Sequence, residues 1–246
     1  MLSKAQIKYI RSLKRQKYRK ENHVFIAEGD KIATEFLNSQ FQIQIIAAVK
    51  DWVDHHQELI AHHPEARLYT ISEAELESIS LLQTPNQVLL VVSESNQNKE
   101  LPTKEWTLAL DDIKDPGNMG TIIRIADWFG IRNVVCSPDC ADVYNPKVVQ
   151  SAMGGHLRVR FFQANLQEYI SSVKMPVLAA TLNGKNISEF PRFEEAVLLI
   201  GNESKGLSDD LISKSHHLIS IPKRGQAESL NAAVATGILC AHLLAQ

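Results

Sequence analysis

The chain has 246 residues, 44% of them hydrophobic and 22% charged, with a net charge of −2 at pH 7. That length and composition suit a soluble globular protein of one large or two small domains. No apolar run approaches the ~20 residues a membrane span needs, and no apolar signal core follows the N-terminal charges. The odd set Cys136, Cys140 and Cys240 contains no CxxC pair. This disfavours a disulfide framework or a zinc site, and the expectation is a reducing cytoplasm.

Charge is unevenly placed. Lys4, Lys8, Arg11, Lys14, Arg15, Lys17, Arg19 and Lys20 fall in residues 1–20 with no acid among them. The rest of the chain holds 18 of the 26 basic residues against all 28 acidic ones. A basic arm on an acidic body suits a polyanionic partner. Ile7, Ile10 and Lys14 share a helical face with Leu13 close by, so the arm is a candidate basic amphipathic helix. A solvated terminal helix, a membrane-surface helix and a nucleic-acid contact all fit this pattern.

Strand and helix patterns then alternate. Residues 23–29 have the character of a short strand, 30–39 of a helix and 41–49 of a strand with period-two character. A helix is expected over 51–63, stopping at Pro64, then a short strand and helix, then the apolar strand 87–93. Two His pairs, 55/56 and 62/63, fall seven apart on the 51–63 helix; a polar solvated face explains them as well as a metal does. The polar stretch 95–105, with Pro102, is the expected linker between a domain at 1–94 and a domain at 106–246.

Beyond the linker, strands are expected at 106–112, 133–137, 157–162, 176–181, 196–201 and 217–222, and a long final helix at 228–246. Apolar strands alternating with helices indicate an α/β fold whose parallel sheet is covered on both faces. In such sheets ligands bind beyond the carboxyl ends of the strands.

Three of those ends are rich in glycine and polar residues. Asp115-Pro116-Gly117-Asn118-Met119-Gly120-Thr121 follows the first strand, with Asn118 as the expected N-cap. Met119, Ile122, Ile125, Ala126 and Phe129 form one face of the helix that follows; Arg124 points away from it. Taken alone, this is a capped helix with a surface Arg. Gly201-Asn202-Glu203-Ser204-Lys205-Gly206-Leu207 is not a Walker A loop, because it lacks the Gly-Lys-Ser/Thr ending. Residues 221–231 leave an apolar run at Ile221-Pro222 and reach the last helix through Ser229, Leu230 and Asn231. Ser229 and Asn231 are expected in its first turn, hydrogen-bonded to the chain or to a ligand. No G-x-G-x-x-G follows the first strand, which disfavours a dinucleotide site.

In order and spacing, Asn118–Arg124, Gly201–Gly206 and Ile221-Pro222…Glu228-Ser229-Leu230-Asn231 resemble the three signature motifs of the SpoU/TrmH family. Ser151–Arg158 is similar to the family's stretch between the first two motifs. Lys4, Tyr18, Phe25, Glu28 and Gly29 resemble its small substrate-binding domain. These are S-adenosylmethionine-dependent RNA 2′-O-ribose methyltransferases of the SPOUT class. The resemblance implies an L30e-like N-terminal domain, a C-terminal SPOUT domain with a deep trefoil knot, and a homodimer. It implies S-adenosylmethionine contacts at Gly201, Ile221 and Leu230, with Thr181 and Leu182 added by position, and no metal.

By the same resemblance Arg124 is the leading catalytic residue. It acts either as an unusual base or by holding an RNA phosphate; the holding role needs no pKa shift. Asn118, Ser229 and Asn231 would orient ribose and methyl donor, and Glu203 would fix the loop or a bound group. Lys223 stands where the family often has Met. The expected substrate is ribosomal RNA of the 23S type. The competing readings are a tRNA 2′-O-methyltransferase, an RNA-binding protein with an inactive methyltransferase domain, and a phosphate-transferring α/β enzyme.

Overall fold

The computed structural model describes residues 2–82, 84–94 and 100–244. In chain order the first elements are α1 (Lys4–Ser12), α2 (Gln16–Asn22), β1 (Val24–Glu28), α3 (Asp30–Leu37), β2 (Ile43–Val49), α4 (Lys50–His55), α5 (Gln57–Ala61), β3 (Arg67–Ile71), α6 (Glu73–Ile79) and β4 (Val88–Ser93). Then follow β5 (Thr107–Leu110), α7 (Pro116–Trp128), β6 (Asn133–Cys136), α8 (Pro146–Ala152), β7 (Arg160–Gln163), α9 (Leu166–Ser172), β8 (Val177–Asn186), β9 (Val197–Ile200), α10 (Asp209–Lys214), β10 (His217–Ser220) and α11 (Ala232–Leu243).

These elements form two compact units. One is the chain up to Asn96 together with Tyr144–Leu157; the other is Gln97–Val143 with Arg158–Gln246. Residues 144–157, expected from sequence in the 106–246 domain, thus fold with the first unit. Of the expected linker, residues 95–99 lie outside the described residues.

The first unit has a mixed sheet in the order β1-β4-β2-β3, in which only β2 and β3 run parallel. One of its faces buries Phe25, Phe36, Ile46, Trp52 and Leu90, and Val149 of α8 joins them. Tyr144 stacks on Phe25 with ring centroids 4.8 Å apart. The basic arm is not one helix but two, α1 and α2. Ser3 and Gln6 close a capping box at the start of α1. Ile10 and Leu13 are fully buried, so hydrophobic burial ties the arm to the unit. The helix expected over 51–63 is also two. The His56 ring stacks on Trp52 and its Nδ1 bonds the Trp52 carbonyl at 2.8 Å, while the His56 N–H goes to Val53 O instead. That replaces the i−4 bond with an i−3 bond and interrupts the helix.

The second unit has a six-stranded, all-parallel sheet in the order β10-β8-β9-β5-β6-β7. β5, β6 and β9 are buried along their whole length, as their largely apolar sequences require, and Thr107 and Asn133 are the polar residues buried with them. β5 leads to β6 on one side and pairs with β9 on the other, so strand order reverses at β5/β9. A crevice is expected there, outside the carboxyl ends.

Three segments differ from expectation. β7 begins at Arg160, because residues 155–157 form a 3-10 turn in the first unit. β8 continues to Asn186, well past 181. Its pairing with β10 jumps, so that Leu218 faces Ala179 while Ile219 faces Lys185. Finally, α11 begins at Ala232, and residues 228–230 precede it. No helix among the described residues is long and apolar enough to cross a membrane.

Candidate active site

β5 delivers its end to Asp111 and Asp112, and α7 starts four residues later. The N-cap of α7 is Asp115, not Asn118: its carboxylate accepts the Asn118 N–H at 2.8 Å, and Pro116 follows it in the first turn. Proline there costs no intrahelical bond, which makes Asp-Pro a sharp helix start. With the cap supplied by Asp115, the Asn118 side chain is free to turn outward. Its Nδ2 donates to Glu203 Oε1 at 2.8 Å, and its Oδ1 accepts from Asn231 Nδ2 at 2.8 Å. Residues 85 and 113 positions away in the chain thus converge on one amide. Each of the three polar loops contributes one member.

Asn231 has a second task, which corrects its expected place inside the helix. It is the N-cap of α11, its Oδ1 accepting the N–H groups of Ala233 and Val234 at 2.9 and 3.2 Å. Ser229 lies outside α11 in the exposed loop and has no hydrogen bond among the described residues.

The Glu203 turn is built by its neighbours. Asn202 and Gly206 exchange backbone hydrogen bonds at 3.1 and 2.9 Å. The Asn202 Oδ1 accepts the N–H groups of Ser204 and Lys205, and its Nδ2 donates to the Asp112 carbonyl at 2.7 Å. Asp112 sits at φ 56°, in the left-handed region, and the Ser137 hydroxyl accepts its N–H at 2.9 Å. Gly201 is required by space: a Cβ there would stand 2.3 Å from the Gly206 carbonyl carbon. Sequence reasoning missed Asn202, Asp112 and Asp115. Asn after Gly at a strand end, and Asp before Pro, are the turn and cap signals that could have found them.

Arg124 is exposed on α7, as its helical position implies, and makes no hydrogen bond or ion pair among the described residues. One turn on, Asp127 takes a bidentate fork from Arg158 at 2.7 and 2.9 Å. Ile123, absent from the predicted apolar face, is buried with Met119, Ile122 and Ala126.

The positions expected to hold a cofactor suit one. Thr181 Oγ1 is buried without a hydrogen-bond partner among the described residues. Leu182 and Leu230 are apolar yet 72% and 48% exposed. Ile221 is half-buried, and Gly201 leaves its loop no room for a side chain. An unpaired hydroxyl, two uncovered leucines and a glycine-floored turn match a ligand with both polar and apolar parts. Among the described residues no three His, Cys, Asp or Glu side chains are grouped to hold a metal ion.

The expected RNA-contact residues divide. Lys4, Lys8, Arg11, Lys14, Arg15, Lys17 and Lys20 are exposed. Arg19 is a correction: it is 2% exposed, and its Nη1 donates to the carbonyls of Leu13 and Lys14 at 2.8 and 2.9 Å. Its guanidinium holds the α1–α2 turn and is withdrawn from the surface.

Comparison with known proteins agrees with this geometry. The SpoU rRNA Methylase family model matches residues 105–241, and the MRM3-like substrate binding domain model matches residues 4–90. The chain is 33% identical, over 96% of its length and 95% of the relative's, to a 23S rRNA (guanosine(2553)-2′-O)-methyltransferase of Bacillus subtilis. A TrmH-family protein from Porphyromonas gingivalis is 34% identical, with TM-score 0.88 over 99% of this chain and 98% of that one. An AdoMet-bound rRNA methyltransferase from Sinorhizobium meliloti is 28% identical, with TM-score 0.88 over 100% and 97%. The chain therefore belongs to the SpoU rRNA methylase family.

Proposed function

We propose that this protein is an S-adenosylmethionine-dependent RNA 2′-O-ribose methyltransferase acting on ribosomal RNA of the 23S type. The meeting of all three polar loops at Asn118 is the observation that carries this reading. The 23S rRNA activity of the Bacillus relative, which aligns end to end, supports the substrate class.

The donor supplies a methyl group already activated on a sulfonium. Gly201, Ile221 and Leu230, with Thr181 and Leu182, would hold it, Thr181 through its unpaired hydroxyl. The remaining difficulty is the ribose 2′-hydroxyl, a weak nucleophile until its proton leaves. Arg124 extends uncommitted into solvent, with five N–H donors for a phosphate beside that hydroxyl. Held there, the phosphate assists departure of the proton, and the guanidinium keeps its charge throughout. Asn118 and Asn231 orient ribose and donor through their shared hydrogen bond, and Glu203 fixes the amide of Asn118. Ser229, uncommitted before α11, is available to the substrate. These residues contribute by alignment of the reacting groups.

The first unit is the RNA-binding domain, an L30e-like fold, with Lys4, Lys8, Arg11, Lys14, Arg15, Lys17 and Lys20 as its phosphate contacts. The second is the SPOUT domain with a trefoil knot; the all-parallel sheet and the family match over residues 105–241 support the assignment. Where β8 and β10 change register, a Cβ on Gly184 would lie 2.6 Å from the Ile219 backbone. The enzyme works in the cytoplasm as a homodimer. Support for the dimer is the apolar surface of α7 and α11, where Trp128 is 82% exposed and Val234 and Ile238 are also uncovered.

Mapping of 2′-O-methyl sites on total RNA with and without the protein tests the reading. One ribosomal position should gain the mark with the wild type and not with Arg124→Ala. A new mark on tRNA alone, or none, overturns it.

A further inference from the structure

Cys136 and Cys140 flank Ser137, whose hydroxyl accepts the Asp112 N–H, and the Asp112 carbonyl accepts from Asn202. Cys136 is the last residue of β6 and buried; Cys140 is half-buried. Between them the chain turns back, the Cys140 N–H reaching Ser137 O at 3.2 Å, and the carbonyl of Leu110, the cross-strand partner of Cys136, accepts from Cys140 Sγ, so the two cysteines share one corner of the sheet. That Sγ–carbonyl bond spans 3.2 Å, and Cys140 Sγ lies 3.6 Å from the Ser137 hydroxyl.

The two sulfurs are unequal. The hydrogen bond from Cys136, helped by Ser137 and working against burial, holds the Cys140 thiol down to about 7. The same contact together with burial pushes Cys136 well up. Cys240 is pushed up to about 12, and burial is the cause. A thiol held low beside a second thiol held high is the arrangement of a site that oxidises to a disulfide.

We propose that Cys136 and Cys140 form an oxidative modification site, at which a peroxide closes an intramolecular disulfide and loosens the Asn202–Gly206 turn. The Cys140 thiolate attacks hydrogen peroxide: an S–O bond forms, the O–O bond breaks, and the hydroxide released takes up a proton as water. Cys136 then gives up its proton and attacks the Cys140 sulfur. The S–S bond forms, the S–O bond breaks, and a second water leaves. Two thiols are oxidised and one peroxide is reduced.

The disulfide removes the Sγ–H donor from Leu110 O and draws Cys140 away from Ser137. Ser137 anchors the N–H of Asp112, whose left-handed backbone must be held by its surroundings, and Asp112 in turn anchors Asn202. The functional half of the proposal rests on the cofactor reading of the 201–206 loop.

The test is a hydrogen peroxide titration of the full-length protein. Thiols are trapped and peptides mapped by mass, and S-adenosylmethionine affinity is measured before oxidation, after it, and after dithiothreitol. The peptide holding Cys136 and Cys140 should lose two hydrogens reversibly, with Cys240 still a thiol. Affinity should fall about tenfold, the equivalent of one or two lost hydrogen bonds, and recover on reduction. Cys140→Ser should abolish both changes and Cys240→Ser neither. Persistence of both thiols, or over-oxidation of Cys140 without a bridge, overturns the site. A disulfide with unchanged affinity overturns the coupling. Reduced protein that fails to bind S-adenosylmethionine overturns the cofactor reading, while the disulfide readout stands by itself.

Discussion

Asn231 donates to Asn118 across 113 residues of chain, and the same Asn118 amide donates to Glu203. Both bonds depend on Asp115 capping α7 in place of Asn118, which leaves that side chain free. Asn118→Ala removes both bonds, each worth about 1 kcal/mol, so S-adenosylmethionine affinity should fall roughly 10- to 30-fold. In a double-mutant cycle on binding, Asn118→Ala and Asn231→Ala should be non-additive. Additive losses would show that the bond does not couple the loops.

Arg124→Ala should lower the rate of methyl transfer by about three orders of magnitude or more while changing cofactor affinity little, the signature of a group used in the transition state. Arg124→Lys separates the two roles. A phosphate holder keeps part of its function as a point charge, so activity should recover partly with an unchanged pH profile. An acid limb moved in the lysine variant would mark the side chain as the base.

Gly201→Ala places a carbon 2.3 Å from backbone that cannot give way without opening the Asn202–Gly206 turn. Strain of this kind costs about 2–4 kcal/mol, so the melting temperature should drop by several degrees and cofactor binding should fall below detection by calorimetry. Normal binding would mean that the loop relaxes at little cost.

Arg19 and its surface neighbours should give opposite phenotypes. Arg19→Ala leaves the Leu13 and Lys14 carbonyls unpaired and should cost about 2–3 kcal/mol in urea unfolding. Lys8→Ala or Lys14→Ala should leave stability within about 0.5 kcal/mol. Each should instead lower RNA affinity and reduce the salt slope by roughly 0.7–0.9 for every phosphate no longer neutralised. An unchanged slope would remove that residue from the RNA surface.

Glu28 is buried, and burial raises its pKa despite hydrogen bonds from Ser80 and the Leu81 N–H. A carboxyl raised in the folded state favours folding while protonated, and that contribution is lost as pH rises through its folded value. Glu28→Gln keeps an acceptor for Leu81 and removes the charge. The variant should gain stability over the wild type near pH 7, and the gain should vanish below the unfolded value of about 4.5. A gain independent of pH would refute the charge explanation.

The parallel sheet of the second unit was legible because its central strands are largely apolar runs, such as VLLI in β9. The three loops were legible as motifs, but their meeting was not, since no local pattern reports a bond spanning 113 residues. β8 was under-read: after Leu182 its sequence is Asn183-Gly184-Lys185-Asn186, so hydrophobicity ends before the strand does. Arg19 was misread because among eight neighbouring cations nothing local distinguishes the one that turns inward. The break at His56 was invisible for a related reason, as it depends on a ring stacking on Trp52.

The excursion of residues 144–157 into the first unit bears on how the protein can be divided. A fragment ending at residue 94 would leave Phe25 without Tyr144 and the sheet without Val149, exposing an aromatic surface built to be covered. Such a fragment should bind hydrophobic dyes and self-associate, whereas one that restores 144–157 through a flexible tether should stay dispersed. The first unit is thus continuous in space and discontinuous in sequence. Recombination of modules within this family would have to exchange α8 along with the N-terminal sheet it covers.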